Sequence, residues 1–264
     1  MSSARLDSSP AAERHRLWAK VEYDGTSFYG FQIQAREPTV QGEIERAIRS
    51  VVGVETRVVG AGRTARGVHA RGQVISFEVE WQHELSSLQR ALNATLDAGV
   101  AVVERGPAPA GFHPRFSAVS RTYRYTLLNR AQRSPLARLT AWHVVQGLDV
   151  ERMVQASQHL LGSHDFSTFG RPTQGESTVR TVMRAEFREE EPFVLFDIEA
   201  NAFLYRMVRS ITGTLVQVGR GSVSPEQLRA MLGAQDRSQI RLVAPAHGLC
   251  LMRVDYGNRE GVVQ

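Results

Sequence analysis

The chain has 264 residues, 42% hydrophobic and 22% charged, enough to bury one large core or two modest ones as an ordinary globular protein. Its 32 basic residues against 27 acidic ones leave a formal charge of +5, a surplus that suits a polyanionic partner. The lone cysteine, Cys250, excludes an internal disulfide and a CxxC pair, and no apolar run approaches the roughly 20 residues of a membrane span.

Residues 1–16, MSSARLDSSPAAERHR, are polar and lack the apolar core of a signal peptide. They are expected to be a disordered leader on a cytoplasmic protein. RLWAKVEYDG reads as a strand ending in an Asp24-Gly25 turn. Thr39 then caps a helix in which Val40, Ile44, Ala47, Ile48 and Val51 share one face. TRVVGAGRT is a short strand leading into a loop, GQVISFEVEW a longer strand, LSSLQRALNATL a helix and VAVVERG a strand. This order is a split βαβ unit, expected over residues 17–110.

Residues 111–257 repeat it. RFSAVSRTYRYTLLN is a long strand, DVERMVQASQHLLG a helix, and TVRTVMRAEFREE and PFVLFDIEAN two strands either side of an acidic turn. FLYRMVRSITGTLVQVG reads as a helix, with a short one after Ser224-Pro225 and a closing strand, HGLCLMRVDY. Residues 258–264 are a tail. The expected fold class is α+β: two ferredoxin-like halves in one mainly antiparallel sheet, helices on one side and a cleft between loops on the other.

The loop GAGRTARGVHARG carries Gly60, Gly62, Gly67 and Gly72, which permit a tight backbone close to a ligand or serve an ordinary connector. His69 reads as a base or as a hydrogen-bonded anchor. Asp165 with His164 reads as a dyad, or as a cap and a turn residue. Tyr123 between Arg121 and Arg124 reads as a stacking residue flanked by phosphate-binding cations, or as a covered strand aromatic. Tyr205, Arg206 and Arg209 fall near one face of the expected helix. No His, Cys or carboxylate grouping has metal-ligand spacing, so no metal is inferred. Lys20 is the only lysine, a bias that points to GC-rich coding.

Together VEYDGTSFYGFQIQ, TVQGEIERAI, GRT..GVHARGQVISFE, FHPRFSAVSRTYRY, LLGSHDFSTF, NAFLYRMVRSITGTL and APAHGLCLMRVDY closely resemble the tRNA pseudouridine synthase A family, in the family's order. Phe31 stands where that family often has tryptophan. The resemblance implies the pseudouridine synthase fold, a homodimer, no cofactor, no metal, and a central cleft binding the tRNA anticodon stem-loop. It also implies isomerisation of uridine to pseudouridine at about positions 38 to 40. It makes Arg63 a support for the flipped-out nucleotide, Tyr123 a substrate-contacting residue and Arg209 the cation paired with the catalytic aspartate. His69 and Arg66 are expected on the substrate side of the same loop.

The family's motif is GRTDAGVHA, and this chain reads GRTARGVHA. Ala65 therefore fills the nucleophile position and Arg66 the alanine after it, so the chain is expected to be inactive or severely impaired. The alternative is a tRNA-binding or RNA-folding protein using the same cleft. A compensated frameshift, as a sequencing error or a genomic lesion, is an expectation that covers both changes: Asp-Ala-Gly written GAC GCG GGC becomes GCG CGG GGC, which is Ala-Arg-Gly, when its A is deleted and a G is added.

Overall fold

The computed structural model of the protein describes residues 14–173 and 175–257. Strand β1 (Arg14–Tyr23) begins three residues inside the expected leader; the rest of the leader and the expected tail lie outside the described residues. Helix α1 (Val40–Val52) starts where the Thr39 side chain accepts the Gly42 N–H and stops at Gly53, left-handed at φ 77°. Both ends satisfy backbone groups that a helix terminus leaves open. Two-residue β2 (Val59–Gly60), β3 (His69–Glu80), α2 (Leu85–Thr95) and β4 (Val100–Pro107) complete the first half.

The second half runs β5 (Ser120–Asn129), β6 (Trp142–Val144), α3 (Val150–Gln158), β7 (Gly162–Asp165) and β8 (Val179–Glu190). It continues with β9 (Phe193–Ala200), α4 (Met207–Gly219), α5 (Pro225–Ala234) and β10 (Leu249–Asp255). One sheet takes the order β4-β1-β3-β10-β5-β9-β8-β7, with β2 on β3 and β6 on β5. Each half shows the ferredoxin-like order, β4-β1-β3-β2 and β10-β5-β9-β8. The halves meet where β10 lies parallel to β3, Cys250 beside His69 and Leu251 beside Ala70.

Two cores form on the helix-bearing face. The first gathers Val21, Ile44, Ile48 and Ile75, the second Tyr125, Met153, Phe196 and Ile211. The division at residues 110 and 111 does not separate them. Phe112, Leu251, Val254 and Tyr256 all pack into the first core, Phe112 edge-on to Tyr256 with ring centroids 5.2 Å apart. The closing strand belongs to both halves.

Four other expectations change. The long strand starts at Ser120, five residues later than read, because residues 113–117 fold back on themselves. His164 and Asp165, read as a dyad or as a cap and a turn residue, lie in β7 instead, where His164 meets the Leu161 carbonyl and Asp165 the Ser167 N–H; they form no dyad. Helix α4 starts at Met207, not Phe203, because Arg206 takes φ 65° and breaks the helical path. The cleft opens on the helix-bearing side, between α1 and α4. The opposite sheet face is a charged groove whose groups pair among themselves: Arg124 donates twice to Asp197 at 2.8 Å, and Arg184 meets Glu199 at 3.6 Å.

Candidate nucleic-acid interface and reaction site

The loop between β2 and β3 is fixed from behind. The buried Gln73 amide donates to the Gly62 carbonyl at 2.9 Å, and the Tyr23 and Thr64 hydroxyls share a hydrogen bond of 2.7 Å. The Thr64 carbonyl accepts the Phe31 N–H at 3.1 Å, and the Ala65 carbonyl accepts the Val68 N–H at 3.1 Å. That last turn requires Gly67 at φ 73°, where any side chain would also crowd Ala246. The loop thus holds position 65 at the cleft wall, and what stands there is a methyl group resting on the second core.

The six sequence-predicted site residues divide into two groups. Arg63, Ala65, Tyr123 and Arg209 line one cleft of about 770 Å³. Arg66 and His69 do not. Arg66 leaves the turn on its outer side and stacks its guanidinium 3.9 Å from the Tyr29 ring centroid, a favourable place for a cation. His69 is buried behind the loop. Its Nδ1 lies 3.1 Å from the Gly25 N–H and 3.0 Å from an Asp24 carboxylate oxygen, and its Nε2 faces the Leu139 and His247 carbonyls at 2.8 and 3.1 Å. It is an anchor joining four segments, not a group presented to a substrate.

Tyr123 forms the cleft floor where the two cores meet, edge-on to Phe203 at 5.1 Å. Burial pushes its hydroxyl up to about 12, against the pull of the Arg121 charge, so it is a donor at neutral pH. Its flanking arginines are not phosphate ligands. Arg124 belongs to the opposite face, and Arg121 spends its guanidinium on the Ala118, Asn201, Ala61 and Arg115 carbonyls at 2.6 to 3.5 Å. Four carbonyl dipoles take the place of a counterion there.

Arg209 reaches the cleft from the first turn of α4. Its Nε donates to the Ala244 carbonyl at 2.7 Å while Ala244 N–H returns a bond to the Arg209 carbonyl at 3.0 Å. It has no carboxylate partner among the described residues. Burial and the nearby Arg206 charge lower its pKa from the ordinary value, yet an arginine stays charged, so an anion drawn into the cleft gains at this point. Arg57, Arg115 and Arg206 also line the cavity, and no Asp or Glu does.

Among the described residues no carboxylate is placed to stand in at position 65. Asp24 caps the turn after β1. Its partial burial pushes the carboxyl up, but the Thr26 hydroxyl and N–H and the facing His69 outweigh that and hold it below the usual range. Asp97 accepts the Gly99 N–H, and neither side chain lines the cleft. Among the described residues no three His, Cys, Asp or Glu side chains gather as a metal site, and no helix is long and apolar enough to cross a membrane.

Two residues that sequence reasoning missed belong to the cleft mouth, His113 and Phe116. The exposed ring of Phe116 lies on the His113 ring, centroids 4.3 Å apart. The only signal was the FHPRF spacing, which looks like an ordinary strand start.

The family model described as tRNA pseudouridine synthase matches residues 19–117 and 156–257. The protein called tRNA pseudouridine synthase A from Geobacter sp. (strain M21) is 42% identical over 238 residues, covering 89% of this chain and 96% of its own. That of the same name from Caulobacter vibrioides (strain NA1000 / CB15N) is 44% identical over 247 residues, covering 93% and 99%. Among solved structures, the archaeal box H/ACA sRNP Nop10-Cbf5 complex is similar at 12% identity and a TM-score of 0.35, over 76% of this chain and 44% of that one. A likeness so slight carries no argument.

Proposed function

The chain belongs to the tRNA pseudouridine synthase family, and from that premise we propose that it binds the tRNA anticodon stem-loop in this cleft with little or no turnover. In the family's reaction at about positions 38 to 40, the N1–C1′ bond of uridine breaks and a C5–C1′ bond forms. C5 gives up its proton and N1 acquires one, so no oxidant or reductant is needed. The step that this chain lacks is the one requiring a carboxylate beside the sugar. The observation that carries the reading is the cleft lining: arginines and aromatic rings, with alanine at position 65 and no Asp or Glu. Loss of a nucleophile whose partners act as a unit costs on the order of 10⁶ in rate. The protein is read as a cytoplasmic homodimer on the same family grounds.

A second reading is a non-catalytic tRNA-binding or RNA-folding protein; the retention of Arg63, Tyr123 and Arg209 around the missing group fits it and fits a damaged record of an active enzyme equally. Purified protein is expected to bind an anticodon stem-loop RNA with an affinity that falls steeply as salt rises, and to release no pseudouridine by mass spectrometry. Absence of binding at low salt overturns both readings. Comparing tRNA from source cells and a gene-deletion strain tests the loss of turnover that both readings share: loss of anticodon-arm pseudouridine in the deletion strain overturns both and establishes an active enzyme, and no change leaves a protein that binds without turnover.

A further inference from the structure

We propose that Phe116 is a stacking platform for an RNA base at the mouth of the cleft, an assignment that rests on the RNA-binding reading above. Phe116 is 75% exposed and is the one aromatic residue among the exposed large hydrophobic side chains of the described residues. Single exposed apolar side chains are common; what sets this one apart is that its ring lines an arginine-rich cleft, with the Arg115 guanidinium 5.6 Å from its centroid.

This ring is not loose. The His113 Nδ1 accepts the Arg115 N–H at 3.1 Å and the Phe116 N–H at 3.3 Å. The Ser117 hydroxyl accepts the His113 N–H at 3.1 Å, and the Ser117 N–H returns to the His113 carbonyl at 2.9 Å. Arg121 pins the Arg115 carbonyl at 2.6 Å from below. The backbone at residue 116 is therefore set before any ligand arrives, and the ring leans against His113 with the planes tilted by 34°. Little conformational freedom remains to be lost on binding.

The surroundings select the occupant. Phe116 shares the cavity with Arg57, Arg63 and Arg206, without a carboxylate. An apolar, π-faced ligand on a polyanionic chain fits both features, and an unstacked nucleobase is that ligand. Tyr123, on the floor, is already in edge contact with Phe203. Phe116 at the rim is placed to receive a neighbouring base as the strand opens.

The test is the affinity of the full chain for a stem-loop RNA, with Phe116→Ala, Phe116→Leu and Phe116→Trp beside the parent. Base stacking of this kind is worth about ten-fold in affinity. Ala and Leu should therefore bind about ten-fold more weakly with an unchanged salt slope, since no phosphate contact is altered. The Trp variant should keep the parent's affinity and lose fluorescence when RNA saturates it. The side chain is exposed, so melting temperatures should match. Equal binding by parent, Ala and Leu, or an unquenched Trp, overturns the platform while leaving RNA binding standing. A parent that binds no RNA overturns both. A change in oligomeric mass with unaltered RNA affinity assigns the ring to contact with a second copy instead and overturns the proposal.

Discussion

Ala65 and Arg66 are neighbours in the chain with different surroundings, one facing the cleft and the other stacked on Tyr29 outside it. Changed side by side, they look like one lesion. The stacking separates them. Ala65→Asp alone should restore pseudouridine formation, measured by tritium release from 5-tritiated uridine in tRNA, and Arg66→Ala added to it should change the rate by less than about three-fold. If the single variant stays inactive and the double one turns over, Arg66 reaches the cleft after all. At the DNA level, codons for residues 65 to 67 that no single deletion and insertion connects to Asp-Ala-Gly would refute the frame excursion. His69 makes a different point. His69→Ala strands the Gly25 N–H and two carbonyls in a buried place, and each such loss costs on the order of 1–3 kcal/mol. Melting temperature should fall by at least about 4 °C, whereas a substrate-contacting histidine would leave it unchanged.

The start of helix α1 was readable because its cap, Thr39, is local chemistry. The start of α4 was not, because FLYR continues the apolar rhythm while the backbone turns at Arg206. A non-glycine residue at φ 65° carries strain on the order of 1 kcal/mol. The bend brings Leu204 into the core and leaves Tyr205 and Arg206 at the cleft. Arg206→Gly should raise the urea midpoint by relieving that strain, while lowering the salt slope of RNA binding by about one; a fall in stability would show that no strain is stored. The segment from His113 to Ser117 was hidden for a related reason, since a side-chain acceptor holds it and no periodic pattern marks it. Burial, with the Arg16 and Arg115 charges, lowers the His113 pKa from 6.5. The folded form therefore binds fewer protons than the unfolded one below that value. The segment's full stability is present above pH 6.5 and is lost as pH falls beneath it. Hydrogen-exchange protection of the Arg115 and Phe116 amides should drop there ahead of the amides of β5.

At the scale of the molecule, alternation and caps were enough to find two ferredoxin-like halves, and the resemblance placed Ala65, Arg63, Tyr123 and Arg209 at one cleft. What they did not reveal was how arginines are used: Arg121 on carbonyls, Arg124 on the far face, Arg66 on an aromatic ring. Those assignments depend on which partner lies across the sheet, information spread over distant parts of the chain. The sharpest instance is β10, which sits between β3 and β5 although some 180 residues separate it from β3. Ending the chain at Gly248 removes Leu249 and Leu251 from the two cores, and such a truncation should lose cooperative melting and RNA binding together. Cooperative melting retained by the truncated chain would show that the halves close without this strand. A ribosome makes β10 after both of the strands that it joins. Until it emerges, the facing edges of β3 and β5 lack their common partner, so the two walls of the cleft are joined only once this strand is in place.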